Sequence, residues 1–92
     1  MATDWLNKGI NLVRLRKFAE AIAAFDQALV LDPKNAKTWR AKGVSLEALG
    51  NSEDALIAIN KALALNSKDN NAWIDKSFTS QDLEGKQTRL LP

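Results

Sequence analysis

Apolar residues recur along the chain at helical intervals, and short polar clusters interrupt them. From about Thr3 to Leu15, the positions Trp5, Gly9 and Leu12 follow i, i+4, i+7 and mark one face of a helix. Arg16 and Lys17 break that pattern. A second stripe, Ala21, Ile22, Phe25, Ala28 and Leu29, predicts a helix over about 18–31. Asp32-Pro33-Lys34-Asn35 ends it, because proline cannot extend a helix and restricts the residue before it. The plan then returns. A third helix is predicted over about 36–49, with Asn35 as its N-cap and Gly50 closing it in the left-handed conformation. Ser52 is expected to cap a fourth helix, whose Glu53 and Asp54 suit the positive end of the helix dipole. That helix carries Ala55, Leu56, Ile59, Ala62, Leu63 and Leu65. A fifth begins after Asp69 as N-cap and runs to Leu83, where Glu84-Gly85 breaks it off.

The return has a fixed step. Trp5-Leu6-Asn7-Lys8-Gly9, Trp39-Arg40-Ala41-Lys42-Gly43 and Trp73-Ile74-Asp75-Lys76-Ser77 lie 34 residues apart, twice over. Residues 2–35 and 36–69 are identical at twelve paired positions, among them Gly9/Gly43, Leu12/Leu46, Ala21/Ala55 and Ala28/Ala62. Unrelated segments of ordinary composition match at about two or three such positions. A period of this length is the mark of a stacked repeat. Arg16 corresponds to Gly50, so either it adopts left-handed angles at a cost of about 1–2 kcal/mol or the first turn is shaped differently. The third copy has Trp73 but no second helix, so Trp73 is expected to be the most exposed tryptophan.

These residues resemble the tetratricopeptide repeat, a helix–turn–helix unit of the same length. Trp5, Gly9, Ala21, Phe25, Ala28 and Pro33 match its pattern in the first copy, and Trp39, Gly43, Ala55, Ala62 and Leu63 in the second. Ile59 and Ser67 replace the aromatic and the proline there, and the third copy keeps only Trp73 and the small Ser77. The resemblance implies an all-α right-handed solenoid fragment of five helices. Its domain covers 1–84, with repeats at 2–35 and 36–69 and a capping helix at 70–84, followed by a flexible tail at 85–92. The polar Ser80 in the third copy reads as part of a solvated end helix.

Composition narrows the function. Thirteen cationic and eleven acidic side chains give a net charge of +2, and no basic block is present to attract a polyanion. Histidine and cysteine are absent, so no nucleophile–base pair is evident, and neither catalysis nor a cofactor or metal is expected. The missing cysteine also fits a reducing, cytoplasmic setting. No apolar run approaches the ~20 residues of a membrane span. The tryptophans read as filler between repeats rather than as platforms for nucleic-acid bases. Lys8, Lys42 and Lys76 form a ladder at the same step, which reads first as stems covering apolar surface and only weakly as a nucleic-acid or regulatory contact.

In the resembled family, the first helix of each pair lines a concave groove. The corresponding strip holds Leu6, Ile10 and Val13, then Val44, then Ile74 and Phe78, with Arg14, Lys37 and Arg40 beside it. An apolar strip where a surface is normally polar marks a contact site, and the cations suit a carboxylate-bearing segment. One form of the family clamps a partner's C-terminal carboxylate through Lys, Asn and Arg, but the matching positions here are Leu6, Ile10, Ala41, Asn71 and Asp75, which do not fit. The expected function is therefore a non-catalytic protein-binding module that takes a peptide or helix. The alternative is self-assembly through the groove or the open end, since two and a half repeats fall short of the three usually needed.

Overall fold

A computed structural model describes residues 1–90 of the chain, and their side chains as far as residue 85. Five helices follow in order: α1 (Ala2–Arg14), α2 (Phe18–Leu31), α3 (Ala36–Ala48), α4 (Ser52–Leu65) and α5 (Asn70–Leu90). Each packs against the next, and α1, α3 and α5 also touch one another in sequence, so these three line one side of the stack. The arrangement spans 49 × 28 × 19 Å, the elongated shape of a solenoid fragment.

The interior is built around two large side chains. Phe25 of α2 and Ile59 of α4 are wholly buried and sit one repeat apart. Each lies against a glycine of the preceding helix, Phe25 against Gly9 and Ile59 against Gly43. Ala21 and Ala28, or Ala55 and Ala62, flank them and let the helices approach closely. Small polar residues fill the contacts between repeats: Thr38, Ser45 and Thr79 are buried, as is Ala72. Hydrophobic patterning does not flag them, because short side chains at these sites are selected by size. Ser45 Oγ satisfies itself by donating to the Ala41 carbonyl at 2.9 Å.

Both helix pairs turn in the same way. After α1, the Arg16 amide donates to the Val13 carbonyl at 2.9 Å and the Lys17 amide to Leu12 at 2.8 Å. After α3, Gly50 donates to Glu47 and Asn51 to Leu46, both at 2.9 Å. This is a Schellman closure, whose turning residue is left-handed: φ is 86° at Gly50 and 60° at Arg16. Of the two readings open for Arg16, the strained one holds. We predict that Arg16→Gly raises stability by up to about 1 kcal/mol, since relief of the Cβ clash outweighs the added freedom of the unfolded chain. Urea denaturation followed by circular dichroism measures this, and an unchanged or lower midpoint would count against it.

The caps follow expectation in two places and depart from it in one. Asn35 Oδ1 accepts from the Thr38 amide at 3.2 Å, and Asp69 Oδ1 accepts from Asn71 and Ala72 at 3.0 and 3.3 Å. Ser52 does not cap α4. It is the helix's first residue, and its hydroxyl donates to Asp82 Oδ2 of α5 at 2.7 Å, fastening the last helix to the second repeat. The end of α5 also differs from expectation. The helix passes through Gly85 and reaches Leu90, so a tail beginning at residue 85 is corrected to a longer helix. Once a helix is nucleated, each further residue adds a hydrogen bond at low cost, and one exposed glycine costs only about 1 kcal/mol. Leu91 and Pro92 lie outside the described residues.

Candidate functional site

None of the three tryptophans is fully buried. Trp5 and Trp39 are half-buried, and Trp73 is the most exposed at 46%. Trp39 Nε1 donates to the Pro33 carbonyl and Trp73 Nε1 to the Ser67 carbonyl, both at 2.8 Å. Trp39 and Trp73 thus latch the turn that precedes their own helix, while Trp5 packs against the core cluster around Phe25, as filler would. An indole has one polar atom to satisfy, and the turn carbonyl six residues back is within reach at each later copy.

The lysine ladder rests on these rings. Lys8, Lys42 and Lys76 hold Nζ at 5.1, 5.5 and 5.2 Å from the centroids of Trp5, Trp39 and Trp73. Lys42 also pairs with Asp26 of α2 at 2.7 Å, which ties the two repeats together. A crevice of ≈ 400 Å³ lies between Trp5, Leu12 and Ala24, and one of ≈ 330 Å³ between Trp39, Leu46 and Ala58, where Ile22 and Asp26 of the preceding repeat also contribute. Stacked heads, one of them neutralised by Asp26, leave a weak field for a polyanion.

On the side formed by α1, α3 and α5, the predicted strip divides into two parts. Leu6 is 7% exposed and belongs to the core around Phe25, with Ile10 and Val13 half-buried against the same cluster. Leu6 therefore offers almost no surface to a partner: α2 covers it from one side, and Ala41 of α3 packs against the same cluster. Farther along, Val44, Ile74 and Phe78 are 37%, 65% and 63% exposed. Exposure rises towards α5 because, among the described residues, no helix after α5 covers this side. Val44 and Phe78 share a recess of ≈ 240 Å³ with Ile59, Thr79, Glu47 and Asp75.

The cations beside the strip are also unequal. Arg40 Nε donates to Asp75 Oδ2 at 2.7 Å, a half-buried bridge that locks α3 to α5. Its charge is largely spent within the fold, and the repulsion that Asp75 would exert on a partner's carboxylate is spent with it. Arg14 and Lys37 remain exposed. Sequence reasoning had no signal for the Arg40–Asp75 bridge, because the two residues are 35 apart and meet only once the third helix is stacked.

Among the described residues, no group of three or more His, Cys, Asp and Glu side chains is placed to hold a metal ion, and no helix is long and apolar enough to cross a membrane. No curated protein matches the chain. A family model, the tetratricopeptide repeat, matches residues 6–70. Repeats of this kind generally mediate protein–protein interaction without catalysis. Its period, its glycine–aromatic contacts and this match over most of its length lead to one conclusion: the chain belongs to the tetratricopeptide repeat family.

Proposed function

We propose that the chain is a non-catalytic module that holds a peptide or amphipathic helix of a protein partner on the face formed by α1, α3 and α5. The observation that carries this reading is the recess between Val44 and Phe78, whose floor is the buried Ile59 and Thr79. It takes one apolar side chain of a partner. Ile10 and Val13 extend the apolar surface on one side and Ile74 on the other, while Leu6 supports the strip from beneath. Arg14 and Lys37 supply exposed charge for a carboxylate on the same segment, and Arg40 shapes the recess through its bridge to Asp75.

Affinity capture from a cell lysate with three variants tests the site. Val44→Asp and Phe78→Asp place a charge in the recess, and Ile57→Asp places one in the separate crevice beside Trp39. A partner held on the α1–α3–α5 face is retained by Ile57→Asp and reduced at least about ten-fold by each of the other two, since a buried unpaired charge costs several kcal/mol. Equal capture by all three folded variants would exclude this face.

A further inference from the structure

The exposed side of α5 has a regularity of its own. Asn71, Ile74, Phe78, Gln81 and Gly85 are all exposed and follow one another at intervals of three, four, three and four residues. That is the spacing of a two-helix seam, and no charged side chain stands in it. Two of the acids that flank it are turned inwards, Asp75 to Arg40 and Asp82 to Ser52, each at 2.7 Å.

The seam does not suit a further helix seated as α2 sits on α1. That seat needs a glycine: a Cβ on Gly9 would fall 2.6 Å from Cδ1 of Phe25, and one on Gly43 would fall 2.6 Å from Cγ1 of Ile59. The third copy has Ser77 at this position, whose Cβ and hydroxyl hold a partner helix at greater distance. What the seam does fit is itself. Ile74 and Phe78 are equidistant from residue 76, and so are Asn71 and Gln81. In an antiparallel pair related by a two-fold axis at that residue, Ile74 meets Phe78 of the second copy, and Asn71 meets its Gln81. Each apolar side chain then faces an apolar one and each amide faces an amide, twice over, as an isologous interface requires.

We infer that α5 pairs with α5 of a second copy in antiparallel orientation, through Asn71, Ile74, Phe78 and Gln81. The seam is small beside the roughly 1,200–2,000 Å² that a stable interface buries, so the dimer is a reversible one driven by concentration. It covers Ile74 and Phe78, and it does not rest on the peptide-binding reading.

Sedimentation equilibrium of the full chain from micromolar to millimolar concentration tests the inference, with two double variants and circular dichroism to verify their fold. Asn71→Glu with Gln81→Lys places opposite charges at both facing pairs, whereas Asn71→Glu with Gln81→Glu places like charges there. The wild type is expected to show a monomer–dimer equilibrium, retained or tightened in the Glu/Lys variant and weakened by about ten-fold or more in the Glu/Glu variant. A wild type that stays monomeric throughout would overturn the pairing. So would equal weakening of both variants, which is the result for a parallel seam or a different contact. Arg14→Glu, on α1 and out of contact with α5, leaves the dimer unchanged while weakening capture of a carboxylate-bearing partner, which separates this outcome from failure of the peptide-binding face.

Discussion

Phe25→Ala is expected to remove about 3–5 kcal/mol of stability, the usual cost of deleting a fully buried aromatic ring. The ring is 0% exposed and forms the centre of the first core cluster, with Leu6, Ala21 and Ala28 around it and Trp5, Ile10, Leu12 and Val13 packed against it. Helix α2 presents this ring to α1, and α2 also packs on α3. The cavity left by alanine therefore loosens the first repeat and weakens its hold on the second. A chain of 92 residues has a total stability of only about 5–14 kcal/mol, so the loss is a large fraction of the whole. Stability in stacked repeats is nearly a sum of unit and interface terms, so the damage falls mainly on α1 and α2. Urea denaturation should show a lowered midpoint or a separate early transition. A change below about 1 kcal/mol would mean that the ring is not the centre of the core.

The second prediction concerns the residue beneath that ring. In Gly9→Ala, the new Cβ would lie 2.6 Å from Cδ1 and 2.9 Å from Cζ of Phe25, far inside van der Waals contact. Overpacking of this kind costs about 1–3 kcal/mol, offset by the roughly 1 kcal/mol that alanine gains over glycine within a helix. The net result is a loss of up to about 2 kcal/mol. In a Phe25→Ala background the clash is gone and only the propensity gain remains, so the same substitution should stabilise by up to about 1 kcal/mol. A double-mutant cycle reads this change of sign. Additive effects would show that Gly9 is needed for some reason other than the ring.

This pair shows how much of the fold was legible from residues alone. The positions Gly9 and Phe25 stand out through their repetition as Gly43 and Ile59, and their meeting follows from stacking one helix face on the next. Arg16 was legible only as a choice between two turns, because a single arginine is compatible with either until the amides of Arg16 and Lys17 find Val13 and Leu12. The apolar strip was legible as a set of positions but not as a surface. Leu6 and Ile74 are equivalent in the repeat, yet one is buried and the other is 65% exposed, because α2 covers the first and, among the described residues, no helix covers the second.

The 34-residue period, read from sequence alone, determined the helix order and the family, since periodic apolar faces have few ways of burying themselves. The tryptophans needed the tertiary structure. Whether an indole only fills space or also latches a turn depends on where the Pro33 and Ser67 carbonyls lie, and local pattern carries no such information. The Arg40–Asp75 and Ser52–Asp82 contacts belong to the same class: they join residues 35 and 30 apart that meet only after the helices have stacked. Exposure at the candidate site is likewise a property of the stack, because equivalent positions in successive copies are covered by different neighbours.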